Sequence, residues 1–121
     1  MRNAKIGDLC KRRFELPYLI TTSLYPSEKA PEVAGRYLEA LAKYPPDESL
    51  ATQVVPAAVK STPEGIQGIT ISEVQEGKLD AAYARAVETM VMFQSIVGFV
   101  YTVEVHLKVE EAMTMIGMEM P

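Results

Sequence analysis

The segment YTVEVHL, residues 101–107, holds the residues whose types and spacing come closest to a chemical site. His106 is the only histidine of the chain, and Glu104 stands two positions before it. On a strand, residues two apart leave the same face, about 7 Å apart at the backbone. An imidazole so placed can act as a general base near neutral pH, with the carboxylate orienting it or raising its pKa. The same pair serves equally well as two polar groups at a strand end, on a rim or at a dimer contact. Both readings stand at this level. Thr21, Ser23, Tyr25, Thr70, Ser72 and Thr102 are the hydroxyl residues of neighbouring strand-like segments, and they could supply hydrogen bonds to a small polar ligand.

Other chemistries find less support. One histidine, one cysteine and scattered carboxylates give no close-spaced ligand set, so no metal is expected. Met113, Met115, Met118 and Met120 supply soft thioethers that suit Cu(I), or a pliable apolar plug, which is the commoner use of such a cluster. Cys10 precedes three cations, which would lower its pKa. It also shares a helical face with Ile6 and Leu9, as a packing residue would. No glycine-rich phosphate loop and no Gly-x-Ser-x-Gly elbow is present, and no cofactor is expected.

The elements that position these residues follow from patterning. The chain has 121 residues, which predicts one domain large enough to bury a core without staples. Its net charge of −4 argues against nucleic acid as the main partner. Residues 1–13 carry Arg2, Lys5, Lys11, Arg12 and Arg13 against Asp8, so a basic arm over 1–15 precedes a domain over 16–121. No apolar run spans a membrane, no secretory signal is evident, and a single cysteine gives no sign of an oxidising compartment. A cytoplasmic protein without a membrane partner is expected.

LPYLITTSLY predicts a strand over 16–25, and Pro31 opens a helix over 30–44 that Pro45-Pro46 ends. Its apolar face is Val33, Tyr37, Leu38 and Leu41. Strands over 50–60 and 66–74 flank STPEG as a hairpin, with Pro56 marking an edge or a bulge and Gly65 suited to positive φ. A second helix over 79–95 carries the stripe Leu79, Tyr83, Ala86, Met90 and Phe93. A fourth strand over 99–107 and a short helix over 109–116 complete the chain.

The order β-α-β-β-α-β plus a terminal helix predicts an α+β, ferredoxin-like fold, a four-stranded antiparallel sheet in the order 4-1-3-2 with both main helices on one face. Ile20, Leu24, Ile69, Ile71 and the row Phe99 to Leu107 are the more apolar sets and are expected beneath the helices. Leu19, Thr21, Ser23, Tyr25, Thr70, Ser72, Val100, Thr102, Glu104 and His106 are then expected on the open face. With this element order, opened by LPYLITTSLY and closed by GFVYTVEVHLKVEEA, the chain resembles the dimeric α+β barrel superfamily. The resemblance implies a homodimer joined through the open sheet faces around a cavity. It also implies a range of roles, from cofactor-independent monooxygenases and isomerases to ligand-binding and accessory proteins. The haem-degrading branch relies on an Asn, a Trp and a His. This chain has no Trp, and its only Asn is Asn3. The expectation is a small-molecule-binding or accessory homodimer. The alternative is a cofactor-independent monooxygenase or isomerase with His106 as base and Glu104 as its partner.

Overall fold

The computed structural model describes residues 16–118. The basic arm, Cys10 and Met120 lie outside them. Four strands, β1 (Tyr18–Tyr25), β2 (Ala51–Thr62), β3 (Gly65–Val74) and β4 (Val100–His106), form one antiparallel sheet in the order β2-β3-β1-β4. The helices are α1 (Ala30–Lys43), α2 (Leu79–Val91) and α3 (Val109–Met115), with a single 3-10 turn at Ser27–Lys29. The protein is thus an α+β fold, and no helix among the described residues is long and apolar enough to cross a membrane.

Local chemistry sets the boundaries. Pro31 sits in the first turn of α1, where a missing N–H costs nothing, and Lys43 lies in its last turn, favourable to the helix dipole. Helix α2 ends at Val91, short of the expected 95. Its chain tightens there into i→i+3 hydrogen bonds from Phe93 to Met90 and from Gln94 to Val91, which turn Phe93 and Ile96 inward. Arg36 of α1 donates to the Met92 carbonyl and to Ser95 Oγ at 3.0 Å, so a cation of one helix closes the C-terminal end of the other. Strand β2 is an edge strand, and its register with β3 slips on either side of Val55, next to Pro56.

Register settles which residues share a face. Leu19, Thr21, Ser23 and Tyr25 stand opposite Ser72, Thr70, Gly68 and Ile66 on one side. On the other side Leu19, Thr21 and Ser23 meet Val105, Val103 and Tyr101. This face lies under α1 and α2. Leu19, Val74 and Ala82 form one buried cluster, with Leu79, Ala86 and Val103 against it. Tyr25, Val33, Ala40, Phe93 and Ile96 form a second, with Ile66, Met90 and Phe99 against it. The fourth strand therefore has the expected phase, whereas β1 and β3 are turned over: Ile20, Leu24, Ile69 and Ile71 point to the uncovered face. In the helices, Ala40 is buried where Leu38 is 66% exposed, and Ala82 replaces the exposed Tyr83 in the α2 stripe. Small residues bring both helices close to the sheet there, a signal that a hydropathy pattern underweights.

At one margin of the uncovered face Lys108 bonds Glu73 and lies 5.5 Å from the ring of Tyr18. The Glu73 carboxylate holds the Lys108 ammonium above its ordinary pKa, against a smaller opposing effect of burial. A folded pKa raised above the unfolded 10.5 stabilises the fold at all lower pH, and the contribution disappears as pH rises through the raised value. Lys108→Met is therefore expected to cost roughly 1 kcal/mol at pH 8. In urea unfolding the gap from wild type should close well above pH 10.5. A gap that persists undiminished there would assign the loss to packing.

Candidate functional site

The two buried clusters lie at opposite ends of β1, one at Leu19 and the other at Tyr25, about 20 Å apart along the strand. Between them β1 and β3 turn no large apolar side chain toward the helices: they carry Thr21, Ser23, Gly68, Thr70 and Ser72 there, with Val103 and Tyr101 of β4 alongside. Above this stretch opens a cavity of about 390 Å³. Val33, Tyr37 and Leu41 of α1 and Ala86 and Met90 of α2 wall it, and Tyr44 to Asp47 and Arg85 stand among its lining groups.

The floor is polar and its hydrogen-bonding capacity is unspent. The hydroxyls of Thr21, Ser23, Thr70 and Ser72 form no hydrogen bond to another group among the described residues. None of the four is sealed from solvent without a partner, so they face the void. Gly68 leaves room beside this floor: a Cβ there would stand 2.8 Å from Ser23 Oγ, which would have to rotate away. Burial pushes the pKa of Tyr25 up, which keeps its phenol protonated. The rings of Tyr25, Phe99 and Phe93 stack in sequence, 5.7 and 5.1 Å between centroids and within 18° of parallel, at one end of the cavity.

The charged lining groups are engaged elsewhere. Arg85 donates to the Pro45 carbonyl at 2.8 Å and stacks 5.5 Å from the Tyr44 ring centre. The hydroxyl and amide of Ser49 hold the Asp47 carboxyl below its usual range, with Arg85 and Lys78 adding to the effect. Thr89 donates to the Arg85 carbonyl at 2.8 Å.

The candidate residues read from sequence are thereby divided by the sheet. Thr21, Ser23, Tyr25, Thr70 and Ser72 come together on the cavity side. Thr102, Glu104 and His106 lie on the opposite, uncovered face, because Thr22, Ile20 and Tyr18 are their partners in β1. Thr102 Oγ1 pairs with Thr22 Oγ1 at 2.6 Å. His106 Nε2 is 3.9 Å from Glu104 Oε1, with both side chains about half exposed (49% and 58%). A second, shallower recess on that face is lined by Thr22, Leu24, Gln67 and Thr102, and neither His106 nor Glu104 borders it. Tyr44, Gly68 and Arg85 join the cavity without having been singled out, and Tyr37 does so as a member of the expected apolar face of α1. Only the pairing register, which sets Gly68 opposite Ser23, would have pointed to one of them.

Comparison with protein-family models, with curated proteins and with solved structures finds no match to this chain.

Proposed function

We propose that this chain is a small-molecule-binding protein of ferredoxin-like topology, a cytoplasmic homodimer of the dimeric α+β barrel kind, whose ligand occupies the space between sheet and helices. The observation that carries this reading is the row of four unspent hydroxyls on the covered side of the sheet. A covered sheet face is ordinarily filled with apolar side chains, because polar groups there lose hydration, and here four hydroxyls without a protein partner among the described residues line one void that solvent reaches. Four of them facing one void fit a bound molecule that uses them.

The homodimer is supported by the other side of the sheet. Tyr18, Ile20, Leu24, Val55, Ile69, Ile71 and Val100 share that side, and Val100 is 59% exposed. An apolar surface of this kind, interrupted by Thr22, Gln67 and Thr102, suits a self-complementary contact about a two-fold axis. The reading of His106 as a catalytic base needs the partner's sheet to enclose it, since within one protomer the pair is open to solvent.

Ligand binding is testable with a fragment library followed by thermal shift. Hits are expected for wild type, and Ala86→Phe, which would put a ring into the cavity, should abolish them. A folded wild type that yields no hit would overturn the reading, as would hits that persist in the Ala86→Phe variant. His106→Ala is expected to leave binding unchanged.

A further inference from the structure

We infer that the cavity selects a neutral, ring-bearing molecule with at least two hydrogen-bonding oxygens along one edge. This rests on the small-molecule reading above and adds the chemistry of the ligand. Three features of the cavity define it.

The first is the pattern of the floor. Thr21 and Thr70 are direct cross-strand partners, with Cβ atoms about 5 Å apart. Ser23 lies two residues beyond Thr21, and Ser72 two beyond Thr70, each about 7 Å along its strand. Because the strands are antiparallel, Ser72 and Ser23 lie at opposite ends of this patch. The hydroxyls thus form an elongated polar strip, and one oxygen on the ligand would leave most of it unsatisfied. Each hydroxyl both donates and accepts, so ketone and hydroxyl oxygens fit equally.

The second is the wall. Val33, Leu41, Ala86, Met90 and the Phe93–Phe99–Tyr25 stack are apolar or aromatic. A molecule with polar groups on all sides would lose hydration there without replacement. Rings suit the near-parallel aromatic stack at one end.

The third is charge. Among the described residues, Arg85 and Asp47 are the only charged groups lining the cavity. Arg85 is bonded to a carbonyl and held on the Tyr44 face, and Asp47 lies within its field. The lining thus carries one charge of each sign and no net charge, which favours a neutral ligand over an anion or a cation. This argues against phosphorylated and carboxylated ligands and against amines.

The probes are 2,7-dihydroxynaphthalene, with two neutral oxygens on one edge, unsubstituted naphthalene, and naphthalene-2,7-disulfonate. The chain has no tryptophan, so naphthalene fluorescence can be titrated with little interference from the protein. The diol is expected to bind at least tenfold more tightly than naphthalene, and the disulfonate most weakly. The isosteric double variant Thr21→Val/Thr70→Val should remove that advantage while naphthalene binding stays within about twofold. If the double variant fails to fold by circular dichroism, Ser72→Ala carries the same comparison with a smaller expected loss, about threefold. Equal affinity of naphthalene and diol, tightest binding of the disulfonate, or a diol preference that survives loss of the hydroxyls would each overturn the inference and leave the small-molecule reading standing. No binding by any of the three, together with hits of only ionic character in the fragment screen, would overturn the inference alone. No hit of any kind would overturn both.

Discussion

Gly65→Ala is expected to lower the stability of the fold by about 3 kcal/mol or more, one of the largest effects of any conservative substitution in this chain. Gly65 opens β3 directly after the Pro63–Glu64 turn, with φ at +135°, a region that side chains rarely enter. Space compounds the strain. A Cβ built at this position would lie 2.2 Å from the Tyr25 carbonyl oxygen and 3.0 Å from its carbon, both of them backbone atoms. Relief would require β1 and β3 to part at their Tyr25–Ile66 pair, where one of the two buried clusters is anchored. Thr62 also donates its hydroxyl to the Gly65 carbonyl at 2.7 Å, which ties the turn to the same point. The measurement is urea unfolding followed by circular dichroism, with Gly77→Ala as a control. Gly77 also has positive φ but has open space at its Cβ, so it carries the conformational cost alone. Equal losses at the two positions would show that the clash contributes nothing.

Ile71→Lys is expected to convert a dimer into a monomer while leaving the protomer folded. Ile71 stands on the uncovered face between Ile20 of β1 and Val55 of β2, near the middle of the apolar surface. A two-fold contact would bury the substitution twice, and each unpaired ammonium costs several kcal/mol to desolvate. Affinity should therefore fall by more than a hundredfold, which light scattering at micromolar concentration reads directly. Leu38→Lys on the exposed side of α1 is the control and should leave the mass unchanged. A wild type that is monomeric overturns the dimer outright, and an Ile71→Lys variant that stays dimeric moves the contact to another surface.

The sheet was legible in the sequence because Pro, Gly and period-two runs punctuate it strongly. The turn at STPEG, the edge character at Pro56 and the phase of β4 follow from local chemistry, and the structure has all three. The phase of β1 and β3 was not legible by hydropathy. The usual rule puts the more apolar face under the helices, and here Ile20, Leu24, Ile69 and Ile71 make the uncovered side of β1 and β3 the more apolar one. The rule fails because β1 and β3 fill the covered face only at their two ends, by Leu19 with Val74 and by Tyr25 with Ile66, and β4 supplies the apolar residues between. Antiparallel pairing imposes a constraint that composition alone does not. Once Ser23 stands opposite Tyr101, an inward β4 row forces Thr21, Ser23 and Tyr25 inward as well. The hydroxyl set was therefore recognisable by residue type, while its separation from His106 depended on register.

The two clusters differ in which helices they hold, and this has a mechanical consequence. Helix α2 contributes to both, through Ala82 at one end and through Met90 with the adjoining Phe93 at the other. Helix α1 contributes Val33 and Ala40 to one cluster only. Fastened at two points, α2 acts as a fixed beam across the sheet. Fastened to one cluster only, α1 is held to that beam by two polar ties, Arg36 to the Met92 carbonyl and Ser95, and Arg85 to the Pro45 carbonyl and the Tyr44 ring at its C-terminal end. Lifting α1 from the sheet would have to break both ties together with the packing of Val33 and Ala40.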